Sequence, residues 1–357
     1  MMREIKQLLI LLFMGATMMV AQTSKPKNII FMVGDGMGVA QVYSSIVAMK
    51  GNSNFERFKH IGFSKTYSYS DYTTDSGAGG TALFTGNKVN NKAIAMSPDG
   101  KPLTTLLENA QKYGMKTGFV VSTIVSCATP SATYAHVSNR NNFDSITYQL
   151  SLSDIDFFSG GGARYFNKAN RKDGLSPIDT LIKRGFDIVY TMEDMEKSEA
   201  PKIGALLTEW YPAKYPERGD ILGRGVAKAI NHLNKEDEGF VLMVEGSQID
   251  YGGHDTSMSK LTAEVVEFDK VIGMVLDFAI QDGETLVIVT ADHETGGLTL
   301  PNGNITNGES EAIFTTTNHT GVMVPIFAYG PGAENFIGVM ENTDIYDKIV
   351  QIMQWVK

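Results

Sequence analysis

Five apolar runs rich in β-branched and aromatic residues punctuate the chain. NIIFMV ends at Gly34-Asp35, KTGFVVS ends shortly before Cys127, GFVLMV ends at Glu245, ETLVIVT leads into Asp292-His293, and VPIFAYG follows TTTNHTG. The runs are continuously apolar, as strands covered on both faces are. Three intervening stretches place apolar residues three and four apart. KPLTTLLENAQKYG closes at Gly114, RGVAKAINHLNKEDEG closes at Gly239, and SMSKLTAEVVEFDKVIGMVLDFAIQDG is the longest. Buried strands alternating with helices predict an α/β fold: a doubly wound, mostly parallel sheet with helices on both faces. Between residues 141 and 225 the pattern weakens and turn residues crowd in (FFSGGGARYFNKANRKDGLSP, YPAKYPERGD), which reads as peripheral elaboration of one domain.

The N-terminus changes the picture of where the protein works. MMREIK is short and charged, QLLILLFMGATMMVA is apolar, and the small Ala21 precedes the polar QTSKPKN. This predicts a cleavable signal peptide over residues 1–21 and an exported protein, periplasmic or secreted, with one domain over residues 22–357. The alternative is an uncleaved anchor, but the apolar run is short for a membrane span and contains Gly15 and Thr17. No cysteine lies near the cleavage site to carry a lipid, so no membrane anchor is expected. The one cysteine, Cys127, excludes an internal disulfide. A formal net charge of −9 argues against a nucleic-acid partner. It leaves an anionic substrate open, because bound cations invert the local sign of the field.

The polar residues fall where such a sheet binds ligands. Asp35, Glu245 and Asp292-His293 each follow an apolar run directly, and the carboxyl ends of parallel strands are where α/β sheets hold their ligands. In VEGSQIDYGGH, Asp250 and His254 are four residues apart and share a face if a helix starts there. Adjacent Asp292 and His293 reach one ion only from a bent loop. His319 lies in a polar loop before the last apolar run. Of the six histidines, His254, His293 and His319 have such settings, whereas His60, His136 and His232 do not stand out. Asp35, Asp250, His254, Asp292, His293 and His319 form a donor set sufficient for two zinc ions with three protein ligands each. Thr129 and Glu245 offer hard oxygens suited to Mg²⁺.

TTDSGAGGTALFTG, residues 73–86, places a hydroxyl before a run of residues with almost no side chains. A serine at a helix start is ordinarily an N-cap. Beside a zinc ion its hydroxyl can ionise and attack. Gly77, Ala78, Gly79 and Gly80 would let a helix N-terminus approach a phosphate, which its amides and dipole favour. Arg140, in ATPSATYAHVSNR, offers a planar fork that matches two phosphate oxygens.

The blocks VGDGMG, TTDSGAGGTALFTG, ATPSATYAHVSNR, VEGSQIDYGGH, VTADHETGG and NHTGVMVPIFAYGPGA resemble the alkaline phosphatase family. They occur in that family's order between about residues 28 and 337. The resemblance implies a metal-dependent phosphomonoesterase with two Zn²⁺ and one Mg²⁺, and makes residues 22–357 one catalytic domain. It implies Ser76 as the nucleophile that forms a phosphoserine, Asp250, His254 and His319 as ligands of one zinc, and Asp35, Asp292 and His293 as ligands of the second. It further implies Asp35, Thr129 and Glu245 at the magnesium, with Arg140 and the Gly77 amide on the substrate phosphate. Homodimers are common in that family. Two positions depart from its pattern: Cys127 replaces an Asp or His near the magnesium, and Tyr251 replaces a Lys or His. The competing readings are a related metallo-phosphodiesterase or sulfatase, and a non-catalytic exported phosphate- or metal-binding protein.

Overall fold

The computed structural model describes residues 25–235 and 237–356; the expected signal peptide lies outside them. The five apolar runs form strands β1 (Asn28–Gly34), β3 (Lys116–Ile124), β7 (Phe240–Gly246), β8 (Thr285–Thr290) and β9 (Val324–Tyr329). Five more join them: β2 (His60–Lys65), β4 (Phe157–Gly161), β5 (Phe186–Val189), β6 (Lys202–Leu206) and β10 (Gly338–Glu341). The ten make one sheet in the order β10-β2-β9-β8-β1-β7-β3-β4-β6-β5. β9 runs antiparallel to both neighbours, and every other pairing is parallel.

Side-chain alternation along the central strands explains the double winding. Ile29, Phe31 and Val33 of β1 face one apolar core, together with Leu83, Leu106, Ile146 and Ile345 from helices α2 (Ser76–Thr85), α3 (Leu106–Lys112), α4 (Phe143–Leu152) and α8 (Asn342–Ile352). Ile30 and Met32 face the other, with Val42, Leu222 and Phe268 from helices α1 (Val39–Ala48), α5 (Ile221–Leu233) and α7 (Met258–Asp282). Burying each such side chain contributes about 1.5–3 kcal/mol, which is why the runs are apolar throughout. The expected α/β class, with helices on both faces, is what the chain adopts. Among the described residues no helix is long and apolar enough to cross a membrane.

Residues 141–225 are more than peripheral elaboration, because they supply β4, β5 and β6 to the main sheet. β4 reads as a turn because its sequence is FFSGG. Those glycines reflect crowding: a Cβ on Gly160 would sit 2.7 Å from Val121 Cγ2, and one on Gly161 2.7 Å from the Trp210 carbonyl oxygen. β2, flanked by β10 and β9, and the edge strand β10 are partly exposed and short, so they give no continuous apolar signal. Helix α5 begins at Ile221 and ends at Leu233, well before Gly239.

Candidate metal centre and active site

The carboxyl ends of β1, β7 and β8 lie side by side in the middle of the sheet, and they deliver Asp35, Glu245 and Asp292-His293 to one place. Gly36, next to Asp35, has a positive φ of 73°, and a Cβ there would lie 2.9 Å from Asp250 Cα and 2.7 Å from Thr295 Oγ1. Glycine therefore lets three loops close on one another. Helix α6 (Ile249–His254) sets Asp250 and His254 one turn apart, with His254 Nε2 3.3 Å from Asp250 Oδ2. A two-residue antiparallel bridge pairs His319 with Thr295 and brings the third histidine in.

The hydrogen bonds assign the histidine tautomers. His254 Nδ1 lies 2.6 Å from the Thr317 carbonyl oxygen, and His319 Nδ1 lies 3.0 Å from that of Thr74. A carbonyl only accepts, so both Nδ1 atoms carry the proton. Thr295 Oγ1 donates its single proton to Asp250 Oδ1 at 2.5 Å, so it accepts from His293 Nδ1 at 3.2 Å. All three Nε2 atoms then turn lone pairs inward. His254 Nε2 and His319 Nε2 are 3.2 Å apart, where bare lone pairs repel. Two imidazole nitrogens on a tetrahedral zinc ion would be about 3.3 Å apart, so the separation fits a shared cation.

The carboxylates fit the same reading. Ligand atoms of Asp250, His293 and His319 lie within 4.8 Å of one another, as do those of Asp35, Asp292 and His293. His293 Nε2 is 3.4 Å from Asp35 Oδ1 and 3.2 Å from Asp292 Oδ2, so His293 lies between the two groups. Asp35 Oδ1, Asp292 Oδ2, Thr129 Oγ1 and both oxygens of Glu245 are buried with no hydrogen bond of ordinary geometry. Leaving such atoms unpaired is costly unless a cation takes them. Burial, then the Asp292 charge, pushes Asp35 well up. Burial, then Asp250, pushes Asp292 up to about 7, and burial, with Asp292 adding, raises Glu245 to about 8. Burial opposes the ionised form of Asp250 too, but the His254 contact and the surrounding imidazoles hold it down to about 2. The Asp250 contact lifts His254 to about 9, so without metal a proton occupies the position that the cation would take.

Ser76 faces this cluster, with Oγ 3.2 Å from His293 Nε2. It is the first residue of α2 and not its cap. Asp75 caps the helix, accepting from the Ala78 amide at 3.0 Å. This leaves the Ser76 and Gly77 amides unpartnered among the described residues and able to meet an anion. The small residues that follow serve packing as well. A Cβ on Gly79 would lie 3.0 Å from the Asp292 carbonyl oxygen, and one on Gly80 3.4 Å from Thr129 Cα. The helix thus rests directly on two loops that carry ligand residues. Arg140 Nη1 donates to Asp75 Oδ2 at 3.0 Å, so the helix cap also fixes the guanidinium.

Every residue singled out from the sequence for the site lies in or beside this cluster. Three supporting groups hold the site together. Thr295 orients both Asp250 and His293. Asp75 joins α2 to Arg140. Glu294 accepts from Gln41 Nε2 at 2.7 Å, from the amides of Gly297 and Leu298, and from the Thr320 hydroxyl, which ties the His293 loop to the His319 strand. Their signal in the sequence was only adjacency to a candidate ligand. Cys127 is not among the side chains whose ligand atoms gather within 4.8 Å. Burial pushes its thiol up against the pull of Arg140, which suits a neutral thiol and not a coordinating thiolate. The hydroxyl of Tyr251 is 3.2 Å from Thr123 Oγ1.

The family model described as alkaline phosphatase matches residues 26–310 and 302–355. Alkaline phosphatase 4 of Bacillus subtilis (strain 168) is 31% identical, over 92% of this chain and 89% of its own length. The alkaline phosphatase of Escherichia coli (strain K12) is 28% identical, over 91% of this chain and 85% of its own length. Among solved structures, the alkaline phosphatase from the Antarctic bacterium TAB5 superposes with a TM-score of 0.88 at 38% identity, covering 94% of this chain and all of the other.

Proposed function

The chain belongs to the alkaline phosphatase family and hydrolyses phosphate monoesters, and from that premise we propose that Ser76 is its nucleophile at a site built for two zinc ions and one magnesium ion. The observation that carries this reading is the Ser76 hydroxyl at a helix N-terminus, 3.2 Å from His293 Nε2. Asp250, His254 and His319 would hold one zinc and Asp35, Asp292 and His293 the other. Asp35, Thr129 and Glu245 would hold magnesium, which variants of the TAB5 enzyme bind in a site called M3. Bound metal ions supply positive charge that ionises Ser76, activates water and neutralises the phosphoryl and leaving oxygens.

The chain's own groups do the positioning. Arg140, held by Asp75, presents two parallel N–H groups to phosphoryl oxygens, and the Gly77 amide presents a third. Ser76 Oγ bonds to phosphorus as the ester P–O bond breaks, and the departing alcohol takes up a proton. Water then attacks the phosphoserine, inorganic phosphate leaves, and Ser76 regains its proton. The segment at residues 1–21 supports export, and one sheet through the described residues supports a single catalytic domain over 22–357.

Rates on p-nitrophenyl phosphate, bis(p-nitrophenyl) phosphate and p-nitrophenyl sulfate test this reading. The monoester should be hydrolysed at least ~100-fold faster, because a diester or sulfate offers Arg140 less charge to pair. Equal or faster diester turnover overturns the monoesterase reading. Cys127 gives a second expectation. A neutral thiol beside Asp35, Thr129 and Glu245 supplies no negative charge where the family commonly has Asp or His. Cys127→Asp should tighten Mg²⁺ binding roughly tenfold, whereas Cys127→Ala should not. Calorimetric Mg²⁺ titration of the three proteins measures this, and superimposable curves would make Cys127 a packing residue.

A further inference from the structure

The loop after β6 carries Trp210 and Tyr211, two aromatic residues that the reaction described above leaves unused. Their relative exposures are 53% and 41%. The Arg164 guanidinium lies 3.2 Å from the Trp210 ring centroid, so it covers one face and leaves the rest of the ring to solvent. The neighbouring Tyr165 packs on Phe143, centroid to centroid 4.7 Å, and Phe143 begins α4 just beyond Arg140. On the other side, the Tyr211 ring lies 6.4 Å from that of Tyr251, the residue after Asp250. Tyr211 therefore lies beside the element that carries a metal ligand, while Trp210 is linked through Arg164 and its neighbour Tyr165 to the helix that follows Arg140. Burial, then the Cys127 thiol and Tyr165, push the Tyr211 hydroxyl up against the pull of Arg140.

The loop is fastened from both ends. The Gly162 amide donates to the Thr208 and Trp210 carbonyls at 2.9 and 3.2 Å, and Thr208 Oγ1 donates to the Trp210 carbonyl at 2.6 Å. Gln248 Nε2 donates to the Pro212 and Ala213 carbonyls at 3.1 and 3.2 Å. A half-exposed indole on an anchored backbone, with a cation against one face, is a preorganised stacking surface for a planar ring, because little order remains to be imposed when a ligand binds.

We propose that Trp210 and Tyr211, braced by Arg164, form the leaving-group subsite and select phosphate monoesters whose alcohol carries a planar aromatic ring, such as nucleotides, over aliphatic monoesters. The proposal rests on the phosphomonoesterase reading of the Ser76 site. The test compares kcat/KM for adenosine 5′-monophosphate and glycerol 2-phosphate in the metal-loaded protein, Trp210→Ala and Trp210→Phe, together with inhibition by inorganic phosphate. Trp210→Ala should lower the nucleotide value roughly tenfold, as loss of one base–aromatic stack does, while glycerol 2-phosphate and phosphate inhibition change less than about twofold. Trp210→Phe should recover most of the loss. Free adenosine should also quench Trp210 fluorescence in a Trp355→Phe background; Trp355 is 6% exposed and stacks on Tyr113. Equal losses on both substrates, no loss on the nucleotide, or no quenching overturns the subsite. Failure of the Ser76 reading would instead show as loss of monoester turnover in the unaltered protein, with adenosine quenching intact.

Discussion

Removing bound metal should abolish hydrolysis and lower the melting temperature by at least about 5 °C. Asp35, Asp250, Asp292 and Glu245 are each no more than 5% exposed, and oxygens of three of them have no partner. With cations absent, these acids either protonate or face one another, and both cost stability. The ligand residues come from five separate segments of the chain, so the site exists only in the folded protein, and metal binding is coupled to folding. A cation at a thousandfold excess over its dissociation constant stabilises by about 4 kcal/mol, which sets the scale of the thermal shift. Calorimetry and a chromogenic assay on chelator-treated protein, with metal content measured on the same sample, provide the check. Zinc should restore both properties. An unchanged rate after verified removal would sink the metal-dependent mechanism.

Ser76→Ala should reduce monoester hydrolysis roughly 10³-fold, since the covalent route disappears while the electrostatic machinery remains. Labelled phosphate, trapped on the chain by acid quench, should vanish with it. The fold should tolerate the change, because Ser76 is the first residue of α2, its cap is Asp75, and alanine is a good helix former. Melting temperature and zinc content should therefore match the unaltered protein. That separates loss of the nucleophile from loss of the site. Full activity with a trappable phosphoenzyme would place the nucleophile on another residue.

The central strands and long helices were legible because their signal is local. β1, β7 and β8 are buried on both faces, so apolar residues fill their central positions, and α7 repeats its buried positions at helical spacing. Gly283 stops α7 in the left-handed conformation. The same logic hides β4, whose glycines answer contacts with residues distant in sequence, and β2 and β10, which are partly exposed.

The donor set was likewise readable residue by residue, because carboxylates and imidazoles after buried strands are uncommon and the blocks that contain them occur in a familiar order. Sequence alone thus determined the α/β class, the chemical types at the site and the six blocks that hold them. It could not say that His293 stands between both carboxylate groups, that Asp75 rather than Ser76 caps α2, or that Thr295 fixes two ligands at once. Nor could it set the Tyr211 ring against that of Tyr251. Those facts depend on which strand ends become neighbours. Strand order is set by pairing between segments as far apart as β1 and β8, where Asn28 meets Thr285. Local propensity acts over a few residues, while metal ligation and hydrogen bonding act between atoms about 2–3 Å apart, so only the tertiary structure brings their donors within reach.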